Sequence, residues 1–340
     1  VTIPQTNFNP PFNITRASHL VFTARDLAAS RDFYVEVMGL IVSDEDPNTI
    51  WLRGVEERCH HSLTLKRTAG QPVCERIGFR VFTDEDIERA KAHFDRVGVA
   101  ATLVEVPFQG RTLHFSDPAG TPVELVATMK TEPRMHTKIH VHRGAGALRM
   151  DHYQVLVPDV LAVAKFYMEL GFRISDYLYV EAADRVVGTF LHRKDNPWDI
   201  VLLTRSGPRF HHGGYVVEQL EDIVRACDVA GNLGFADRIE HGPGRHGHQH
   251  SYYLYVRDPD GHRTELLLPG IQVIDIDDEP VRCVVQANAN NNLWGLPAPR
   301  SWVEEATNFA GVTVHRPLVE GEPMTAEKYL AGRKPEAVVS

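Results

Sequence analysis

The stretch SHLVFTARDLAASRDFYVEVMGLIVS, residues 18–43, returns at 151–175 as DHYQVLVPDVLAVAKFYMELGFRIS. Each copy opens on an apolar strand with a histidine near its start, turns at an aspartate, runs into an amphipathic helix carrying Phe-Tyr, and leaves through a glycine. His19 and His152 are 133 residues apart, and so are Phe33 and Phe166. A constant offset across strand, turn and helix marks a duplicated unit. A second pair follows in each copy. LHFSDPAGTPVELVA (113–127) and LYVRDPDGHRTELLL (254–268) share Asp-Pro-x-Gly and place Glu124 and Glu265 seven residues after the aspartate. Proline fixes φ and glycine accepts unusual backbone angles, so each motif, with its β-rich flanks, reads as a hairpin turn.

Each copy divides again, because residues 78–106 and 214–240 both run strand, helix, glycine turn, strand. The expectation is an α+β fold of two tandem modules, each of two βαβββ units that form a cupped mixed sheet around a site. The boundaries fall at an N-terminal arm (1–15), a first module (16–130), a poorly periodic linker (131–146), a second module (147–269) and a tail (270–340). The tail is rich in Pro and Asn and fits no fifth unit; irregular structure of this kind, with Trp anchors, is expected to cover the active site.

Composition narrows the function. The 340 residues are 43% hydrophobic with a net charge of −9, and Lys and Arg are scattered, so neither nucleic acid nor an anionic membrane is an expected partner. Cys59, Cys74, Cys227 and Cys283 are far apart and form no CxxC pair, which suits a reducing, cytoplasmic setting. The N-terminal VTIPQTNFNPPFNITRA lacks the order of a signal peptide, and no apolar run approaches the ~20 residues of a membrane span.

The stretch RFHHGGYVV (209–217) sets two histidines side by side on a predicted strand. Successive strand side chains point to opposite faces, so only one of His211 and His212 is expected to face a common centre, and alternation alone leaves open which. That histidine, His152 and Glu265 make a 2-His-1-carboxylate set, which leaves positions open on a metal and suits non-haem Fe(II). Aligning ERIGFRV of the first module with HHGGYVV on the shared glycine puts Arg76 opposite His212 and Glu75 opposite His211. The first module thus keeps His19 and Glu124 but lacks a third ligand, and is expected to be non-catalytic.

Arg149-Met150-Asp151-His152, GPRFHH (207–212), GPGRHG (242–247) and YLYVRDPDGHRTE (253–265) together resemble the type I extradiol ring-cleaving dioxygenases of the vicinal oxygen chelate superfamily. The likeness runs from about residue 16 to 303 and is greatest to the catechol and homoprotocatechuate 2,3-dioxygenase branch. It implies cleavage of a small aromatic diol beside its hydroxyls with O2 as co-substrate, on Fe(II) or alternatively Mn(II), in a homo-oligomer, commonly a tetramer. It further implies that the second histidine of the pair binds metal, giving His152, His212 and Glu265 as ligands. Tyr255 would hydrogen-bond substrate or intermediate oxygens, and His246 would stand beside them.

Three departures from the family pattern bear on chemistry. Trp198 takes the place of the usual acid–base histidine, and an indole N–H donates a hydrogen bond but moves no proton; His248 and His250 of GRHGHQHSYY are the compensating candidates. Asn290 and Asn291 stand where homoprotocatechuate-cleaving relatives have paired arginines, which favours an uncharged catechol or 2,3-dihydroxybiphenyl over a homoprotocatechuate-like acid. Gln154 and Phe190 alter the pocket's shape. The other reading is a glyoxalase-type isomerase or transferase, which the same βαβββ units also build.

Overall fold

The computed structural model describes residues 2–286 and 289–332. It contains the four expected units. The first is β1 (Ile14–Ala24), α1 (Leu27–Asp32), β2 (Ile41–Asp46), β3 (Thr49–Arg53) and β4 (Leu63–Arg67). The second is β5 (Cys74–Val81), α2 (Asp84–Val97), β6 (Ala101–Glu105), β7 (Arg111–Ser116) and β8 (Pro122–Val126). The third is β9 (Arg149–Val157), α3 (Val160–Glu169), β10 (Arg173–Val180), β11 (Arg185–His192) and β12 (Ile200–Thr204). The fourth is β13 (Arg209–Val216), α4 (Leu220–Asn232), β14 (Ile239–His246), β15 (Tyr252–Arg257) and β16 (Arg263–Leu267).

Local chemistry accounts for the repeated entry into helices. Asp26 accepts hydrogen bonds from the Ala28 and Ala29 amides, and Asp159 accepts one from Ala162, so the aspartate of each turn is a helix N-cap. Each Asp-Pro-x-Gly closes an antiparallel hairpin, β7 with β8 and β15 with β16.

Units pair through their first strands. The order is β2-β3-β4-β1-β5-β8-β7-β6 in the first sheet, and β10-β11-β12-β9-β13-β16-β15-β14 in the second. The tail extends the second sheet: β17 (Val281–Val284) adds to β10, β18 (Asn292–Trp294) to β14, and β19 (Thr307–Asn308) to β13, while α5 (Arg300–Glu304) and α6 (Ala326–Gly332) complete it. Among the described residues no helix is long and apolar enough to cross a membrane.

The two modules share one buried core, in which Phe79 of the first meets Tyr153, Tyr167 and Phe172 of the second. Their join reuses the repeated motifs reciprocally. Tyr34 donates to Asp258 Oδ2 at 3.1 Å, and its repeat partner Tyr167 donates to Asp117 Oδ2 at 3.3 Å. The tyrosine of each module's Phe-Tyr pair, in the turn after α1 or within α3, thus holds the Asp-Pro turn of the other module. Tyr167→Phe leaves a buried carboxylate short of one donor and is expected to cost about 1.5 kcal/mol. Chemical denaturation checks it: a lower midpoint at constant slope is the expected result, and an unmoved midpoint would mean the pairing contributes nothing.

Candidate metal centre

The centre forms where β9, β13 and β16 lie side by side. His152 pairs across the sheet with Gly214, and Gly214 pairs with Glu265. The His152 imidazole lies over Gly214, where a Cβ would overlap its ring; glycine is needed there for close approach. His152 Nε2 and His212 Nε2 are 3.2 Å apart, and Glu265 Oε2 is 3.3 Å from the first and 3.2 Å from the second. All three side chains are buried. A first-row metal with ligands at about 2.1 Å, mutually at right angles, separates them by about 3.0 Å, so this triangle fits one face of an octahedron. Among the described residues this is the group of three His, Cys, Asp or Glu side chains placed to hold an ion.

Hydrogen bonding aims both imidazoles. His152 Nδ1 bonds Asp151 Oδ2 at 3.0 Å, which leaves the Nε2 lone pair toward the centre. Burial alone would raise the Asp151 pKa, but Lys194 and the His152 bond outweigh it and hold the group below its usual range. His211 Nε2 donates to the Trp302 carbonyl at 2.8 Å, so His211 Nδ1 accepts from His212 Nδ1 at 2.7 Å. The lone pair of His212 Nε2 is therefore also free. Burial pushes Glu265 up, yet its bonds to His152, His212 and His246 bring it well below the usual carboxylate range, so it is ionised.

The alternation expected across His211 and His212 is corrected here. The pairing register shifts between Phe210 and His212, so His211 is the extra residue of a β-bulge, and a bulge re-aims side chains. His211 stands behind His212 instead of on the far face, and it lines the same cavity. Its role as the orienting partner was not readable from a period-two pattern.

The other anticipated residues separate into two groups. Gln154, Phe190, Trp198, His246, His248, Tyr255, Asn290 and Asn291 line the cavity with the three centre residues. His246 Nε2 is 3.1 Å from Glu265 Oε1 and 3.4 Å from the Tyr255 hydroxyl. Burial and the Glu265 charge raise the Tyr255 pKa well above its usual value, so the phenol stays protonated. His248 packs on Phe190 at 4.9 Å between ring centres, and burial together with His246 pushes its pKa down to about 3. His250, by contrast, is exposed and outside the cavity, engaged through its carbonyl by Arg245 Nε at 2.8 Å. The compensating role anticipated for it is corrected on that ground.

Trp198 is 3% exposed and meets the His152 ring edge-on at 5.3 Å. Among the described residues its indole N–H has no hydrogen-bond partner, although it acts on the neighbouring Asp176, whose Oδ2 is likewise without one there. Burial pushes Asp176 up to about 6, opposed by Ser175, Gln249 and the Trp198 indole. Sequence reading missed Asp176, since a lone Asp on a strand gives no signal.

The first module preserves the scaffold without the centre. His19 lies over Gly78 and contacts Glu124, which also bonds His114 at 3.0 Å. Arg76 pairs with Val21 as His212 pairs with Gln154, so a cation holds the third ligand's place. The register of β4 on β1 and of β12 on β9 makes His61 the counterpart of Trp198. His61 meets the His19 ring at 5.5 Å, as Trp198 meets His152.

A family model described as the Glyoxalase/Bleomycin resistance protein/Dioxygenase superfamily matches residues 16–125 and again 149–266. Among curated proteins, the manganese-dependent 2,3-dihydroxybiphenyl 1,2-dioxygenase of Geobacillus genomosp. 3 is 28% identical over 301 residues, 84% of this chain and 94% of the relative. The metapyrocatechase of Pseudomonas sp. (strain CF600) is 26% identical, covering 76% and 87% of the two chains. Among solved structures, an extradiol ring-cleaving dioxygenase from B. fuscum aligns with TM-score 0.88 and 32% identity over 94% of this chain and 91% of that one. Homoprotocatechuate 2,3-dioxygenase from Brevibacterium fuscum, complexed with 3,4-dihydroxyphenylacetate, aligns at 0.85 and 33% over 93% and 99%. A doubled βαβββ plan, one intact facial triad and these likenesses agree: the chain belongs to the Glyoxalase/Bleomycin resistance protein/Dioxygenase superfamily and, within it, to the extradiol ring-cleaving dioxygenases.

Proposed function

We propose that the protein opens the ring of a catechol-type diol beside its hydroxyls, with Fe(II) or Mn(II) held by His152, His212 and Glu265. The observation that carries this is the buried triangle of lone pairs at one wall of an apolar cavity of about 460 Å³. A metal held by these three residues would supply a Lewis acid for the diol and a centre for activating O2.

The protein's own groups do the rest. His246, in contact with Glu265 and Tyr255, is placed to take up a diol proton. The protonated Tyr255 hydroxyl donates to negative charge developing on oxygen. Among the described residues the buried Gln154 amide nitrogen has no hydrogen-bond partner, and Gln154 lines the same cavity, so it offers a second donor. Phe190, Trp198 and His248 enclose the diol end in apolar and neutral surface that excludes water. Around the ring the pocket is uncharged: Asn290 spends its amide on the Gly295 carbonyl at 2.8 Å and the Asn292 amide at 3.1 Å.

Aerobic incubation of the Fe(II)- or Mn(II)-loaded protein with catechol and with 2,3-dihydroxybiphenyl is the test. A yellow ring-opened product supports the reading; no oxygen uptake with either metal overturns it. Metal analysis should return close to one ion per chain, because Arg76 repels a second; near two per chain would refute the assignment of the first module as non-catalytic. The assembly is expected to be a homotetramer, read from its mass by light scattering. Cys59 and Cys74, buried and free, suit a cytoplasmic setting.

A further inference from the structure

We propose, resting on the diol-cleaving function above, that the natural substrate carries a long apolar substituent ending in a carboxylate or similar anion, received by Arg185 and Arg205. The cavity of about 460 Å³ is roughly three times the ~150 Å³ that suffices for benzene. A bare catechol leaves most of it unfilled.

Strand register shows how the cavity extends. Gln154, Val201 and Phe190 lie side by side on β9, β12 and β11, and Leu156, Leu203 and Gly188 form the next rank. Gly188 has no side chain, and Leu203 and Leu178 close over its place. Beyond it the pairing of β10 with β11 shifts between Leu178 and Tyr179, which skips Val187. After this bulge the cavity is lined by Val187 and Arg185, side chains that an unbroken alternation from Phe190 would have turned away. Arg205 continues the alternation of Val201 and Leu203 and also lines the cavity. At about 3.3 Å per residue, its backbone lies roughly 20 Å along the strands from the rank of His152. The wall between the diol end and the two arginines is aliphatic.

Among the described residues, neither guanidinium group has a carboxylate within ion-pair distance, and Glu320 acts on Arg205 only through space. Arg185 donates from Nη1 to the Val319 carbonyl at 2.7 Å, and among the described residues its buried Nε has no partner. Arg205 donates to the carbonyl of its own neighbour Thr204 at 3.1 Å. Among the described residues neither has an ion pair. Glu322 also lines the cavity but is tied to Lys328 at 2.9 Å. Burial lowers the Arg205 pKa; Glu320 opposes this from a distance, and Arg185 and Arg209 add to it. Two partly desolvated cations side by side are costly unless an anion joins them. A short acid would leave its carboxylate near the neutral Asn290 end, so the geometry selects a long one.

The test is a series of dihydroxyphenyl-alkanoates, from acetate through butanoate and hexanoate to octanoate, each paired with the alkanol of equal length, on the metal-loaded protein. KM should fall along the acid series, and the longest acids should bind about ten-fold tighter than their alcohols. In R185Q/R205Q the acid-to-alcohol ratio should collapse to about one. Calorimetry on the metal-free protein with phenyloctanoate and phenyloctanol should show the same gap, shrinking with added salt. Equal binding of acid and alcohol, a best substrate at acetate, or an unchanged ratio in the double variant would each overturn the proposal. If wild-type protein fails to cleave even methylcatechol, the ring-cleaving function falls, while the calorimetric comparison still decides the anion site.

Discussion

His212→Ala should leave the protein without bound metal after dialysis and without ring-cleaving activity, whereas His211→Ala should retain metal at about 10–100-fold lower affinity. The two histidines are adjacent in sequence, equally buried and lie along one cavity, so composition and exposure do not separate them. Tautomer logic does. His211 commits Nε2–H to the Trp302 carbonyl and its Nδ1 lone pair to His212, so no lone pair remains for an ion. His212 gives its proton to His211 and keeps Nε2 open toward His152 and Glu265. Removing His211 leaves a ligand that can rotate or take the wrong tautomer, which weakens metal binding without abolishing it. Elemental analysis across a series of free-metal concentrations distinguishes the variants. Metal lost from His211→Ala and kept by His212→Ala would reverse the assignment.

Why the candidate metal site was legible, and its support was not, follows from the range of the interactions. His152, Gly214 and Glu265 each sit at a fixed offset from a repeated turn, so a duplicated pattern exposes them by comparison with His19, Gly78 and Glu124. The Arg76 substitution was legible for the same reason, because alignment on glycine needs no three-dimensional knowledge. The β-bulges at His211 and Val187 were not legible, since a bulge depends on the partner strand and a sequence carries only the average period of two. The reciprocal pairing of Tyr34 with Asp258 and Tyr167 with Asp117 was hidden too. Both motifs were read, but as local features: a helix face and a turn. The two contacts span 224 and 50 residues of chain and exist only when the two sheets pack. In the GRHGHQHSYY loop, His248 and His250 looked alike, and a left-handed backbone at Gln249 and His250 sends one ring into the cavity and the other to solvent.

Trp198→His should raise kcat about ten-fold or more and add to its pH profile a group titrating near ~6.5. A positioned acid–base side chain contributes about 10²–10⁴ to such steps, and the wild-type wall beside His152 has none that works at neutral pH. The indole carries no exchangeable lone pair and directs its influence to Asp176. His248, closest to the same wall through Phe190, is held neutral with its pKa near 3, so it is too weak a base to store a proton. Asp176, pushed up to about 6, titrates in the right range, but it does not line the cavity and has Trp198 between it and the His152 ring. His61, the counterpart of Trp198 in the first module, touches His19 in the geometry that Trp198 adopts against His152, which shows that the scaffold accepts an imidazole at this place. The substitution thus restores a proton carrier where the fold already has room for one, and the smaller ring opens a path to Asp176. kcat and kcat/KM measured against pH, with thermal melting as a check on folding, decide the matter. An unchanged rate and profile in a well-folded variant would make Trp198 a wall that shapes the choice of diol, with proton transfer left to His246 alone.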